Sequence, residues 1–221
     1  LTFFEMLGNF SIGDYFKREA INLALEFVVT RLGLAKERFV VTTYSDDEES
    51  FHLWHQAGIP KERIYKFGDE DNWWGPAGSE GPCGPCSELH YDFGADSGCM
   101  TPNCSPNCAQ KKDSGDVCNR FVELWNLVFM QFYQHLDGTR TTLPAPSVDT
   151  GMGLERAATI MQGVNSFYET NLFKPLIRKV EELSSQRYGT NIETDRSMKV
   201  VSEHARSSTF LIADGVVPSN D

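Results

Sequence analysis

Apolar positions along this chain recur at two periods, and the switches between them mark out its elements. In "LTFFEMLGNFS" the alternation puts Phe4 and Met6 on one face and Phe3 and Glu5 on the other, which predicts a strand running to Gly8. From Asp14 the spacing lengthens. Ile21, Leu25, Val28 and Leu32 fall on one helical face, and Gly33 reads as its stop. "RFVVTTY" (38–44) is short and β-branched and predicts a strand, Asp46 and Asp47 open a helix through Gln56, and "RIYKF" (63–67) is a further strand. Residues 68–88, "GDEDNWWGPAGSEGPCGPCSE", predict a long Gly/Pro loop whose two tryptophans need something to pack on. "LHYDF" is a strand, residues 98–118 are a Cys-rich insert, and "RFVELWNLVFMQFYQ" (120–134), apolar on both faces, predicts a central strand. "SVDTGMG" closes a short strand on glycine, a helix follows over 154–162, and Leu172, Leu176, Ile177, Val180 and Leu183 mark another. "MKVV" reads as strand or loop leading into a helix from Ser202 to about Ala213. Strands come in runs without a βαβ rhythm, so the predicted class is α+β: a mostly antiparallel sheet flanked by helices, with a Cys-rich loop insertion.

Composition narrows what such a fold can do. The chain has 221 residues, enough for a core, and 40% hydrophobic with 23% charged residues is ordinary for a globular protein. A net charge of −11 with scattered Lys and Arg means that any grip on DNA or RNA by this chain alone should be weak. No apolar run reaches the ~18–20 residues of a membrane span, so no membrane partner is expected, and with no secretory context visible the six cysteines are read in a reduced, cytoplasmic setting. Leu1 stands where a Met would begin a gene, and "DGVVPSND" carries no closing signal, so both ends read as cut from a longer protein.

The densest chemistry lies in "SVDTGMGLERAAT" (147–159). A strand delivers Asp149 to the sheet, the glycines let a ligand approach the backbone, and Arg156 projects from the first turn of a helix whose N-terminus favours anions. One carboxylate for a cation and one guanidinium for phosphate suit an amino acid and ATP. The same residues also read as a Gly-rich turn with Asp149 capping a helix and Arg156 solvated. In "ELWNLVFMQF", Asn126 interrupts an apolar strand, and a buried amide needs partners, either backbone or ligand.

Five blocks in order, "TFFEMLGNFS", "GPCGPCSE", "ELWNLVFMQF", "PSVDTGMGLERAA" and "FLIADGVVPSN", resemble the catalytic core of the alanyl-tRNA synthetases, a family of class II aminoacyl-tRNA synthetases. The resemblance runs from Thr2 to Asn220. It implies the class II antiparallel sheet and an enzyme that activates L-alanine with ATP and Mg²⁺ to alanyl-adenylate, releasing pyrophosphate. The alanyl group then passes to the 3′ end of the alanine tRNA. It also implies roles. Asp149 holds the α-ammonium, Asn126 orients the amino acid, and Trp74, Val128 and Gly151 wall a methyl-sized pocket. Phe4 and Met6 lie at adenine, with Phe4 chosen over Phe3 on strand phase, and Gly153 with Arg156 meets ATP phosphate. On this reading Asp149, Arg156 and Asn126 carry catalysis, and no covalent nucleophile is required. Residues 1–201 are part of the aminoacylation domain and 202–221 begin a helical tRNA-recognition region. The family's motif 1 and the first strand of its motif 2 precede Leu1, so autonomous activity of this chain is not expected to be robust.

Cys99, Cys104, Cys108 and Cys118 sit at spacings compatible with a tetrahedral structural Zn²⁺ and equally with free thiols. Cys83 and Cys86 read as packing residues, His90 and His204 as structural or solvated, and "DDEES" (46–50) as a solvated helix start. Two readings compete with the enzyme: a non-catalytic paralogue that binds an amino acid or adenylate, and a zinc-bearing interaction module. The second leaves the pocket unexplained.

Overall fold

A computed structural model describes residues 1–110 and 118–219. The chain divides into two compact units, Met6–Met152 and a second made of Leu1–Glu5 with Gly153–Asp221.

The larger unit carries the sheet. Its elements run β1 (Met6–Leu7), β2 (Phe10–Ile12), α1 (Lys17–Glu26, continued by a π turn over Phe27–Arg31), β3 (Phe39–Tyr44), α2 (Glu48–Gln56) and β4 (Ile64–Phe67). Then come α3 (Asp69–Asn72), β5 (Trp73–Trp74), β6 (Gly81–Asp92), β7 (Phe121–Gln134) and β8 (Arg140–Gly153). The order across the sheet is β1-β8-β7-β6-β3-β4, with β2 also on β8 and β5 also on β6. The pairs β2/β8, β3/β6, β5/β6, β6/β7 and β7/β8 are antiparallel, and β3/β4 is parallel. The expected α+β class stands, with one parallel pair at the margin. Leu124, Trp125, Leu127, Val128 and Phe129 are all buried, so β7 is covered on both faces, as its unbroken apolar run requires.

Several elements differ from the sequence reading; the short strand expected at "SVDTGMG" is the end of the 14-residue β8, whose pairing with β7 extends it back to Arg140. The strand expected up to Gly8 shrinks to Met6–Leu7. The loop expected over 68–88 is shorter, because β6 begins at Gly81 and takes in "GPCGPCSE". Pro82 and Pro85 cannot donate to a ladder, and the sheet absorbs this with a register shift between Cys83 and Cys86. At that shift a Cβ on Gly84 would stand 2.1 Å from the Phe129 carbonyl oxygen, so backbone rather than a flexible side chain blocks it. Gly84→Ala is therefore expected to cost about 1–3 kcal/mol, as in overpacked cores, read as a fall in the urea midpoint. An unchanged midpoint would show that the bulge can move. The acidic run over 46–50 also differs, because Asp47 is buried. It caps α2, accepting from the Ser50 N–H at 3.1 Å, and pairs with the equally buried Lys17 at 2.7 Å.

The smaller unit holds α4 (Leu154–Met161), α5 (Lys174–Ser184) and α6 (Ile192–Ala213) around Phe173, Ile177, Ile160 and Met198. Helix α6 starts well before the expected Ser202. The Asn191 side chain caps it, accepting from Glu193 and Thr194 N–H groups, and this overrides the β-branched Val200 and Val201, which stay half-exposed. Thr2 and Phe3 are not in a strand. Their N–H groups donate to Glu203 of α6, and the Phe3 ring stacks on Phe210 at 4.3 Å between centroids.

Candidate active site

Register converts the sequence motifs into a surface. Across β7 and β8, Asn126 lies opposite Gly151 and Val128 opposite Asp149. Residues two apart on a strand share a face, as do direct cross-strand partners. Asn126, Val128, Asp149 and Gly151 thus form one two-by-two patch. The rows continue onto β6, where Glu88 faces Asn126 and Cys86 faces Val128, and onto β3, where Thr42 faces Glu88. Strand β1 covers one corner: the Met6 sulfur lies 2.8 Å from where a Cβ on Gly151 would stand. Trp74 is on β5, paired opposite Gly84 of β6.

The patch is built to receive hydrogen-bond donors. Among the described residues the Asp149 carboxylate has no hydrogen-bonding or ion-pair partner, and burial raises its carboxyl above the ordinary value. The Asn126 amide contacts the Cys86 thiol, while its Oδ1 is buried and unpartnered. Two acceptors therefore stand on one face of the sheet beside the apolar wall of Val128. A buried acceptor without a donor, as Asn126 Oδ1 is, costs about 1–3 kcal/mol, so a ligand that brings a donor there recovers that energy.

A polar network missed by the sequence reading extends the rows on the β6 and β3 side. Glu88 accepts from Thr42 Oγ1 at 3.2 Å and pairs with His90 Nε2 at 2.9 Å. Asn72, fully buried, donates to Thr42 Oγ1 at 2.8 Å and to the Cys86 carbonyl at 3.2 Å. Reading "GPCGPCSE" as loop hid Glu88, since its partners are visible only once β6 has a register. Cys83 and Cys86 are buried, and burial pushes the Cys86 thiol up to about 12. That fits a packing thiol rather than a reactive one.

Gly151→Ala isolates the patch from the fold. The Met6 side chain that blocks the new Cβ is flexible and 64% exposed, so it can swing away and folding is expected to survive. The added methyl remains on the patch, and affinity for any ligand seated there is expected to fall by about tenfold, ~1.4 kcal/mol. Titration of the variant against the wild-type chain checks both halves.

The other sequence candidates belong to the smaller unit. Phe4 is 47% exposed, whereas Phe3 is packed on Phe210 and under the Arg206 guanidinium, so of the two rings Phe4 is the one left with an open face. Gly153 is the N-cap residue of α4, and the exposed Arg156 lays its Cβ, Cγ and Cδ within 3.6–3.8 Å of the position a Gly153 Cβ would take. Between them sits Glu155, to which the sequence reading assigned no role. It is 1% exposed, accepts from the Glu5 N–H at 3.2 Å and pairs with Arg206 at 2.7 Å.

The chain belongs to the class II tRNA synthetases, since the family model described as tRNA synthetases class II (A) matches residues 1–221. Alanine–tRNA ligase of Dehalococcoides mccartyi strain BAV1 is 54% identical over 218 residues, 99% of this chain and 24% of that protein. Alanine–tRNA ligase of Natranaerobius thermophilus is 49% identical over 221 residues, 100% of this chain and again 24% of the relative. The chain thus spans 24% of the length of these curated relatives. A solved structure, apo histidyl-tRNA synthetase of S. aureus, aligns over 76% of this chain and 42% of its own at 12% identity and a TM-score of 0.35, too distant a likeness to bear on the site.

Proposed function

We propose that this chain is the alanine- and ATP-binding part of an alanine–tRNA ligase. The observation that carries the reading is the pair of unpartnered acceptors, Asp149 and Asn126 Oδ1, set beside Val128 and a side-chain-free Gly151. An α-ammonium supplies three donors and a positive charge to such acceptors. In this reading Val128, Gly151 and Trp74 wall a methyl-sized pocket.

The reaction needs positioning rather than a nucleophile from the protein. A carboxylate oxygen of alanine attacks the α-phosphorus of MgATP in line, the bond to the β-phosphate oxygen breaks, and pyrophosphate leaves. A terminal ribose hydroxyl of the alanine tRNA then attacks the carbonyl, and AMP departs. In this reading Asp149 and Asn126 fix the amino acid, Phe4 and Met6 bound adenine, and Arg156 with Gly153 at the start of α4 neutralises phosphate. Residues 1–201 serve as aminoacylation domain and 202–221 as the beginning of the tRNA-recognition region. No described helix is long and apolar enough to cross a membrane, and the reading carries a cytoplasmic location with it.

Isothermal titration with non-hydrolysable aminoacyl-adenylate analogues tests the proposal. The alanyl compound is expected to bind best. Loss of one methyl in the glycyl compound should weaken binding roughly 10–200-fold, and the valyl compound should be excluded. Equal binding of the valyl and alanyl compounds would overturn the assignment of the pocket.

A further inference from the structure

The insert between β6 and β7 contains no strand and no α-helix among its described residues, yet its sulfurs converge. The Sγ atoms of Cys99, Cys104, Cys108 and Cys118 all lie within 4.8 Å of one another. Cys99 and Cys108 are 3.6 Å apart, and Cys104 and Cys118 are 3.5 Å apart. Four sulfurs on a tetrahedron of ~2.3 Å Zn–S bonds would stand about 3.8 Å from one another. Two disulfides would need ~2.05 Å within each pair and no approach between the pairs. Convergence of all four is the geometry of a shared centre.

The local sequence explains how an irregular loop achieves this. "TPNCSPNC" (101–108) is a tandem repeat of two four-residue turns. In each, the Cys N–H donates back to the first residue's carbonyl: Cys104 to Thr101 at 3.3 Å and Cys108 to Ser105 at 3.0 Å. Pro fixes the second position and Asn suits the third. Each turn therefore ends on a cysteine. Cys118 enters from the other side, its N–H donating to the Gln110 carbonyl at 2.8 Å. A loop whose described residues form no apolar core of their own needs a staple.

We infer that Cys99, Cys104, Cys108 and Cys118 form a closed tetrathiolate site for one structural Zn²⁺. An all-sulfur tetrahedral set selects zinc or iron among the common ions, and four protein ligands leave no open position for catalysis. Binding converts the four thiols to thiolates, with their protons released to solvent. The staple has a neighbour that matters: Asn107, in the second turn, donates to Asp71 at 3.4 Å, and Asp71 belongs to α3, which leads into Trp73 and Trp74. Metal loss thus loosens the loop next to the segment that carries Trp74. This inference stands apart from the alanine reading, since its geometry and its test involve none of the patch residues.

The test is metal analysis of the whole chain purified under reducing conditions without added metal. About one zinc per chain is expected, with the four insert thiols unreactive toward a chromogenic thiol reagent until a strong chelator exposes them. The buried Cys83 and Cys86 should stay silent in both states. Cobalt exchanged into the site should give the intense visible absorption of a tetrahedral tetrathiolate. Cys99 is only partly buried, so its variants should fold: Cys99→Ala is expected to lose the metal, and Cys99→His, which restores a ligand, to keep it. Four freely reactive thiols without metal, two disulfides in a non-reducing digest, or iron in place of zinc would each overturn the inference.

Discussion

Replacing Asp149 with Asn is expected to abolish binding of an alanyl-adenylate analogue while leaving the fold as stable as before or slightly more so. The two effects have one cause. Burial raises the Asp149 carboxyl above its ordinary value, and among the described residues no cation compensates its charge. A carboxyl whose folded pKa lies above its unfolded one binds protons more readily in the folded state. Stability therefore falls as pH rises through the window between those two values, and above it the charged group is a standing cost. Asn removes that cost and with it the partner for the ammonium. Hydrogen bonds to charged groups are worth up to about 3 kcal/mol, so the loss in affinity should be roughly 100-fold or more. Urea denaturation at neutral pH checks the stability half. A variant that binds normally would remove Asp149 from the site, and one that is much less stable would mean its carboxylate holds the fold together instead.

Replacing Arg206 with Ala is expected to have the largest effect on stability. Its guanidinium pairs with Glu155 at 2.7 Å and with Glu5 at 2.9 Å, donates to the Phe3 carbonyl at 3.3 Å, and lies over the rings of Phe3, Phe173 and Phe210. Glu155 is 1% exposed, so removing its partner leaves a carboxylate buried without a counter-charge. Breaking such a pair costs about 3–5 kcal/mol. Adding Glu155→Gln should recover part of the loss by removing the stranded charge. Arg206→Lys should recover little, because an ammonium cannot make the same fork of bonds or stack on the rings. A loss below about 1 kcal/mol for Arg206→Ala would show that water reaches Glu155.

What the sequence disclosed and what it hid follow from the range of the forces involved. The period-two runs of "ELWNLVFM" and "SVDTGMG" put Asn126 with Val128 and Asp149 with Gly151 on common faces, because alternation is a property of the strand itself. That these two pairs are opposite each other is a fact of register, which only the paired sheet supplies. The first part of β6 was hidden because prolines and glycines read as loop, and the bulge that accommodates them is formed with β7. The early start of α6 was hidden because Val200 and Val201 favour a strand locally, while the cap at Asn191 and packing through Met198 and Ser207 decide for helix. Glu155 was given no role, and Asp47 read as part of a solvated helix start. Their partners, Arg206 and Lys17, are remote in sequence, so nothing local announces the burial. The four cysteines were legible as a set, but their convergence is a matter of turns that the spacings alone do not fix.

The first measurement to make is a pair of isothermal titrations into the wild-type chain, one with a non-hydrolysable alanyl-adenylate analogue and one with its propionyl counterpart, identical except for the missing ammonium. If Asp149 and Asn126 read that ammonium, the alanyl compound binds and the propionyl compound is weaker by roughly 100-fold. Equal affinities, or no binding of either by a chain shown to be folded, would contradict the site described here.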